Sequence, residues 1–278
     1  MENTLTQLGF HAVNVQAAQL QLELQKFIAR ELAQERYVDP RRLLRHGYKV
    51  YSQNDEDGLI AEVFRRIGAP NRTFVEFGVE TGRECNSLWL LVQGWRGLWI
   101  EGNQAACAEI STSLAHLIAG DRLRLANAFV TAENIDAIIE GGLGGVEVDF
   151  LSIDIDRNDF WVWRAINSIR PRLVCIEYNA TWRPPVSIVT PYDPGQMWDR
   201  TNYFGASLSA LTVLAREKGY ALVGCCLAGV NAFFVREDLL QGEFFQPNSA
   251  EAHYEPPRYF LSSLTAGHRP GFGDLVEV

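Results

Sequence analysis

From residue 73 onward, short apolar runs alternate with helix-patterned segments, and no other feature of the chain constrains its fold as tightly. TFVEFG (73–78), GLWIEGN (97–103), RLRLANAFV (122–130), DFLSIDI (149–155) and RLVCIEY (172–178) have the length and character of strands. Residues 84–93, 104–117, 132–140 and 159–168 lie between them with helical patterns, and 206–218 is a further helix. Strands that alternate with helices imply βαβ units, hence a parallel sheet covered on both faces. YALVGCC (220–226) and NAFFVRE (231–237) are too close for a helical crossover and must pair as an antiparallel hairpin. The expected fold is α/β and doubly wound, with a mostly parallel seven-stranded sheet.

Upstream, residues 12–36 place Val13, Ala17, Leu20, Leu24, Phe27, Ile28 and Leu32 at helical spacing. This N-terminal helical extension is expected to lie over the main fold or over a second subunit, so a homodimer is one expectation. Residues 55–67 form another amphipathic helix with acids at its start. The organisation reads as an extension over 1–50, a main domain over 51–245 and a tail over 246–278. Within the main domain, 180–205 is long, proline-rich and aromatic, as functional loops often are.

Composition excludes several classes. With 278 residues, 47% of them hydrophobic, the chain is long and apolar enough for a large core. A formal net charge of −9 and a pI near 5.1 argue against nucleic acid as a partner. No apolar run is long enough to span a membrane, and residues 1–30 lack the pattern of a signal peptide. Five cysteines, an odd number without a CxxC pair, read as buried free thiols in a reducing cytoplasm.

The first strand ends in VEFGVETGRECNS (75–87), where Gly78 and Gly82 frame a tight turn. The spacing E-x-G-x-x-x-G differs from the G-x-G-x-x-G of dinucleotide sites. The second strand ends in Glu101, placed to accept hydrogen bonds from both hydroxyls of a ribose. Together these motifs favour a nucleoside ligand over a solvated turn.

On these motifs, with the acidic end of the fourth strand and the closing hairpin, residues 50–240 resemble a class I S-adenosylmethionine-dependent methyltransferase. YSQNDEDG (51–58) is similar to the lead-in of FkbM-like small-molecule methyltransferases. The resemblance implies S-adenosyl-L-methionine as cofactor, with Glu76 near its amino group and Gly78 and Gly82 shaping the cradle. It also implies that Glu101 holds the ribose, that Asn127 and Ala128 lie near adenine, and that Asp154 stands where cofactor and substrate meet. Glu80 departs from many relatives, which have Gly or Asn there.

FLSIDIDRNDFWVW (150–163) crowds Asp154, Asp156 and Asp159 into six positions. Side chains alternate along a strand, so Asp154 and Asp156 share a face if the strand reaches that far, as do Glu177 and Asn179 in the next strand. Such oxygen ligands suit Mg²⁺, Mn²⁺ or Ca²⁺. Catechol and macrolide-sugar O-methyltransferases are similar here: acids hold a divalent ion that binds two substrate hydroxyls and helps one lose its proton. Three alternatives stand beside this metal reading. Asp154 acts alone as a general base, Asp156 and Asp159 merely cap the following helix, or Arg157 neutralises the cluster. Arg157 is equally suited to receive an anionic group of the substrate.

Trp161 and Trp163 read as packing residues. Trp182, Tyr192, Trp198 and Tyr203 are candidates to line a pocket or to pack the loop. The histidines are scattered, with His253 and His268 in the tail the only ones considered for the site. The expected activity is transfer of a methyl group to a hydroxyl of a small molecule, a sugar or natural product. The rivals are an NAD-linked oxidoreductase and a non-catalytic binding protein.

Overall fold

The computed structural model describes residues 2–262 and 267–278, and the side chains from residue 13 onward. His11 and the 263–266 part of the tail therefore fall outside the described side chains. The strands are β1 (Thr73–Phe77), β2 (Arg96–Glu101), β3 (Leu123–Asn127), β4 (Phe150–Ile153), β5 (Leu173–Glu177), β6 (Ile188–Val189), β7 (Tyr220–Cys225), β8 (Asn231–Arg236) and β9 (Val276–Glu277). The helices are α1 (Glu2–Leu32), α2 (Glu56–Ile67), α3 (Leu88–Val92), α4 (Gln104–Ser113), α5 (Ala115–Ala119), α6 (Ile135–Leu143), α7 (Asp159–Ala165), α8 (Leu208–Glu217) and α9 (Ala250–His253).

Seven strands form one sheet in the order β3-β2-β1-β4-β5-β8-β7. The first five are parallel, and β8 pairs antiparallel with both β5 and β7. This is the expected doubly wound α/β sheet with a closing hairpin. Alternate residues of each strand feed two apolar layers. Val75, Phe77, Leu98, Ile100, Leu151, Ile153, Val174 and Ile176 pack with α6, α7 and α8. Phe74, Trp99, Phe150, Leu173 and Cys175 face the other way, towards α2, α3 and α4. An apolar surface on both faces is what allows a parallel sheet to stay buried.

Several boundaries differ from expectation. The segment expected as one helix over 104–117 is two, interrupted at Leu114. Helix α3 starts only at Leu88, because 78–87 is spent on the turn described below. Helix α1 starts at Glu2, and its residues 13–23 are exposed. Among its described side chains the last turns pack, with Ile28 and Leu32 on Tyr37, Leu44 and Leu227 and with Phe27 edge-on to Phe260 at 5.3 Å. Among the described residues no helix is long and apolar enough to cross a membrane. All five cysteines are buried and free.

Candidate active site

In doubly wound sheets, ligands bind beyond the carboxyl ends of the strands, where the strand order reverses. Here the chain leaves β1 towards β2 on one side and returns to β4 on the other, so the crevice opens between the ends of β1 and β4.

The turn after β1 is held from below by Glu76. Its carboxylate accepts from the backbone N–H groups of Asn86 (2.8 Å) and Ser87 (2.9 Å) and from the Ser87 hydroxyl. Ser87 Oγ in turn accepts from Trp99 Nε1 at 2.7 Å. Glu76 is 4% exposed, and burial raises its carboxyl above the ordinary range. Its oxygens are thus spent on the turn itself.

Gly78 and Gly82 both have positive φ, +79° and +73°. A Cβ on Gly78 would come within 1.5 Å of the Asp154 carbonyl oxygen, and one on Gly82 within 2.6 Å of the Trp99 ring. Glycine lets β1 and the end of β4 close against each other, with the loop flat upon Trp99.

Glu101 ends β2 and is 8% exposed. It accepts from the backbone N–H groups of Glu80 and Asn103, each at 2.7 Å. Its carboxylate therefore sits at the rim of the β1 turn, brought there by Glu80 at φ +49°. Asn127 donates from Nδ2 to the Glu101 carbonyl at 2.8 Å, and the Ala128 N–H donates to the same oxygen at 3.0 Å. Both positions join the end of β3 to the β2 turn, beside the exposed ring of Phe129.

Across the switch point, β4 stops at Ile153, so Asp154 and Asp156 do not continue a strand. Asp156 has a φ of +65° and reaches the cluster from a turn. The structure brings Asp154, Asp156 and Glu177 together, with one carboxylate oxygen of each within 4.8 Å of the others. Asn179 does not join them. It is fully buried and donates to the carbonyls of Asn202 (2.8 Å) and Phe204 (2.9 Å).

Burial raises Asp154 well above the ordinary carboxylate range, helped by Asp156 and Asp159. Glu177 rises likewise through burial, then Asp154 and Asp156. Asp156 is raised by the protein atoms enclosing it and then by Glu80, although its side chain remains open to the crevice. Asp159, the first residue of α7, accepts from the Ile155 N–H at 2.8 Å and is pushed up to about 7, chiefly by burial. Three oxygen donors this close match the donor set of a hard divalent cation.

Arg157 makes none of the ion pairs among the described residues. It is 5% exposed, and its guanidinium lies over the Tyr203 ring at 5.2 Å. The loop over 180–205 crosses this region. Asn158 Nδ2 donates to the Asp193 carbonyl, and Tyr192 donates from its hydroxyl to Glu133. The Trp198 indole donates to Thr201, and Trp163 packs in the core against Phe234. His253 is buried and held down to about 4 by that burial. His268 is boxed by Trp198, Phe204 and Tyr259.

No family model and no curated protein matches the chain. Solved structures do. A Staphylococcus aureus protein described as a caffeoyl-CoA O-methyltransferase is 15% identical with a TM-score of 0.48, over 77% of this chain and 99% of that one. An S-adenosylmethionine-dependent methyltransferase from Clostridium acetobutylicum is 9% identical with a TM-score of 0.44, over 67% and 92%. The O-methyltransferase from Bacillus cereus, in complex with SAH, is 15% identical with a TM-score of 0.42, over 78% and 89%. At these identities the likeness is one of fold.

Proposed function

We propose that the chain is an S-adenosylmethionine-dependent methyltransferase acting on a hydroxyl of a small molecule, with a divalent ion at Asp154, Asp156 and Glu177. The observation that carries this reading is the division of the crevice. A buried acid at the end of β2 and a glycine turn stand on one side of the switch point, and a tight carboxylate triad stands on the other. A cofactor with a ribose suits the first side, and an acceptor hydroxyl with a cation suits the second. The antiparallel β8 between β5 and β7 departs from the 3-2-1-4-5-6 sheet of dinucleotide enzymes, which weighs against the NAD-linked rival.

Glu101 would hold the ribose hydroxyls, and the turn over 78–82 would bring backbone close to the rest of the cofactor. Bound, S-adenosylmethionine supplies an electrophilic methyl group. Asp154 would take the proton of the acceptor hydroxyl, a role open to a carboxylate at the end of β4 beside the other two acids. Asp156 and Glu177 would complete the oxygen set for Mg²⁺ or Mn²⁺, whose charge favours loss of that proton.

Calorimetry with S-adenosylhomocysteine tests the cofactor half. Binding is expected, weakened about tenfold or more in Glu101→Gln, which removes a charged acceptor. No binding at millimolar concentration overturns the reading, and binding without methyl transfer to any of a broad panel of hydroxylated acceptors favours the non-catalytic rival. In an active preparation, chelator is expected to abolish turnover and Mn²⁺ to restore it. Full turnover in chelator would leave Asp154 as a metal-free base.

A further inference from the structure

We propose that the acceptor carries an anionic oxygen group, a carboxylate or a phosphate, and that Arg157 receives it at the ends of β4 and β5. This inference rests on the methyltransferase reading and names the substrate class of that site.

Arg157 follows Asp156 in the turn between β4 and α7. Tyr203, whose ring lies under its guanidinium, belongs to the segment that Asn179 grips by the carbonyls of Asn202 and Phe204. Asn179 is two residues beyond Glu177, the last residue of β5. Arginine and tyrosine are therefore delivered to the ends of the same two adjacent strands that deliver Asp154 and Glu177. Asn158, next in sequence, is fixed to the loop backbone at Asp193, which keeps the turn in place.

Arg157 is 5% exposed as a residue, yet no carboxylate among the described residues pairs with it. Its buried Nε has no hydrogen-bond partner. The cation–π contact with Tyr203 is worth less than desolvating a full charge costs. The nearby acids do not supply the deficit, because no ion pair joins Arg157 to Asp154, Asp156 or Glu177, whose oxygens lie within 4.8 Å of one another. What remains missing is a planar or tetrahedral oxyanion to take the fork of donors, the geometry that arginine binds best. The acceptor would then be held at two points, by its reacting hydroxyl at the carboxylate triad and by its acidic group at Arg157.

The test uses the full chain saturated with S-adenosylhomocysteine, titrated in a calorimeter with sodium phosphate in one arm and sodium acetate in the other. Binding is expected in at least one arm, and the arm that binds identifies the group. It should weaken about tenfold or more in Arg157→Gln and be partly kept in Arg157→Lys. Retained affinity of both variants for S-adenosylhomocysteine shows that the fold is intact. A parallel assay compares methyl transfer to hydroxylated acceptors with and without a carboxylate or phosphate. A preference of at least tenfold for the acidic member, lost in Arg157→Gln, is expected. Cofactor binding without anion binding in either arm, or equal anion binding in Arg157→Gln, overturns this inference and leaves the methyltransferase reading standing. Absence of S-adenosylhomocysteine binding would instead strike that reading.

Discussion

At Gly78, β1 and the end of β4 come so close that only a hydrogen atom fits between its Cα and the Asp154 carbonyl. A backbone oxygen cannot swing aside as a side chain can, and the φ of +79° adds strain for any other residue. Gly78→Ala is expected to cost more than about 2 kcal/mol in urea unfolding. It should also weaken S-adenosylhomocysteine binding, because the switch point itself is forced open. Unchanged stability and affinity would mean that the two strand ends are not in contact. The need for glycine here was legible as a tight turn after a strand. The partner was not, since Asp154 is 76 positions away in sequence. Glu76 shows the same limit. Its place at the end of β1 was readable, but its engagement by Asn86 and Ser87 depends on how the turn folds back.

Among the elements, the loop over 180–205 is the one whose importance was legible and whose role was not. Prolines and aromatics marked it, yet β6 within it pairs with β9 of the tail, and Tyr203 donates to the Asp274 carbonyl. These are contacts between segments more than 70 residues apart, which local pattern cannot supply. Asn179 is the clearest case. Strand alternation placed it beside Glu177 as a fourth oxygen ligand, but β5 has ended and its amide serves two loop carbonyls. Asn179→Ala would leave both carbonyls short of a donor and is expected to destabilise the chain by about 2 kcal/mol. The fall in Tm should come with weaker acceptor binding and little change in S-adenosylhomocysteine affinity. Cofactor binding lost as strongly as acceptor binding would contradict this division of the crevice.

For the whole molecule, buried acids give stability a distinctive pH dependence. Asp55, which precedes α2 and accepts from the Leu227 N–H, and Asp159 rise from 3.8 to about 7, each chiefly through burial. Between about pH 4 and 7 the folded chain therefore holds protons that the unfolded chain has released, and stability falls as pH rises. His253, held down to about 4, opposes this below its ordinary pKa of 6.5, but it is a single group. Glu62, kept at about 2 by Arg65, acts below this window. In chelator, Tm is expected to be higher at pH 5 than at pH 8, and Mg²⁺ or Mn²⁺ at pH 8 should recover part of the difference. A Tm that climbs with pH across this range in chelator would refute the burial of these two carboxyls.

The sequence by itself determined the doubly wound sheet, its antiparallel hairpin, and the crowding of Asp154, Asp156 and Asp159. These follow from periodicity, spacing and composition, which act over a few residues. Only the tertiary structure decided which oxygens meet. Asp156 joins the triad through a left-handed turn, Glu177 arrives from the neighbouring strand, Asn179 turns to the loop, and Arg157 lies on Tyr203. Side-chain direction at a strand end depends on where the strand stops and what packs over it. Both are fixed by contacts distant in sequence.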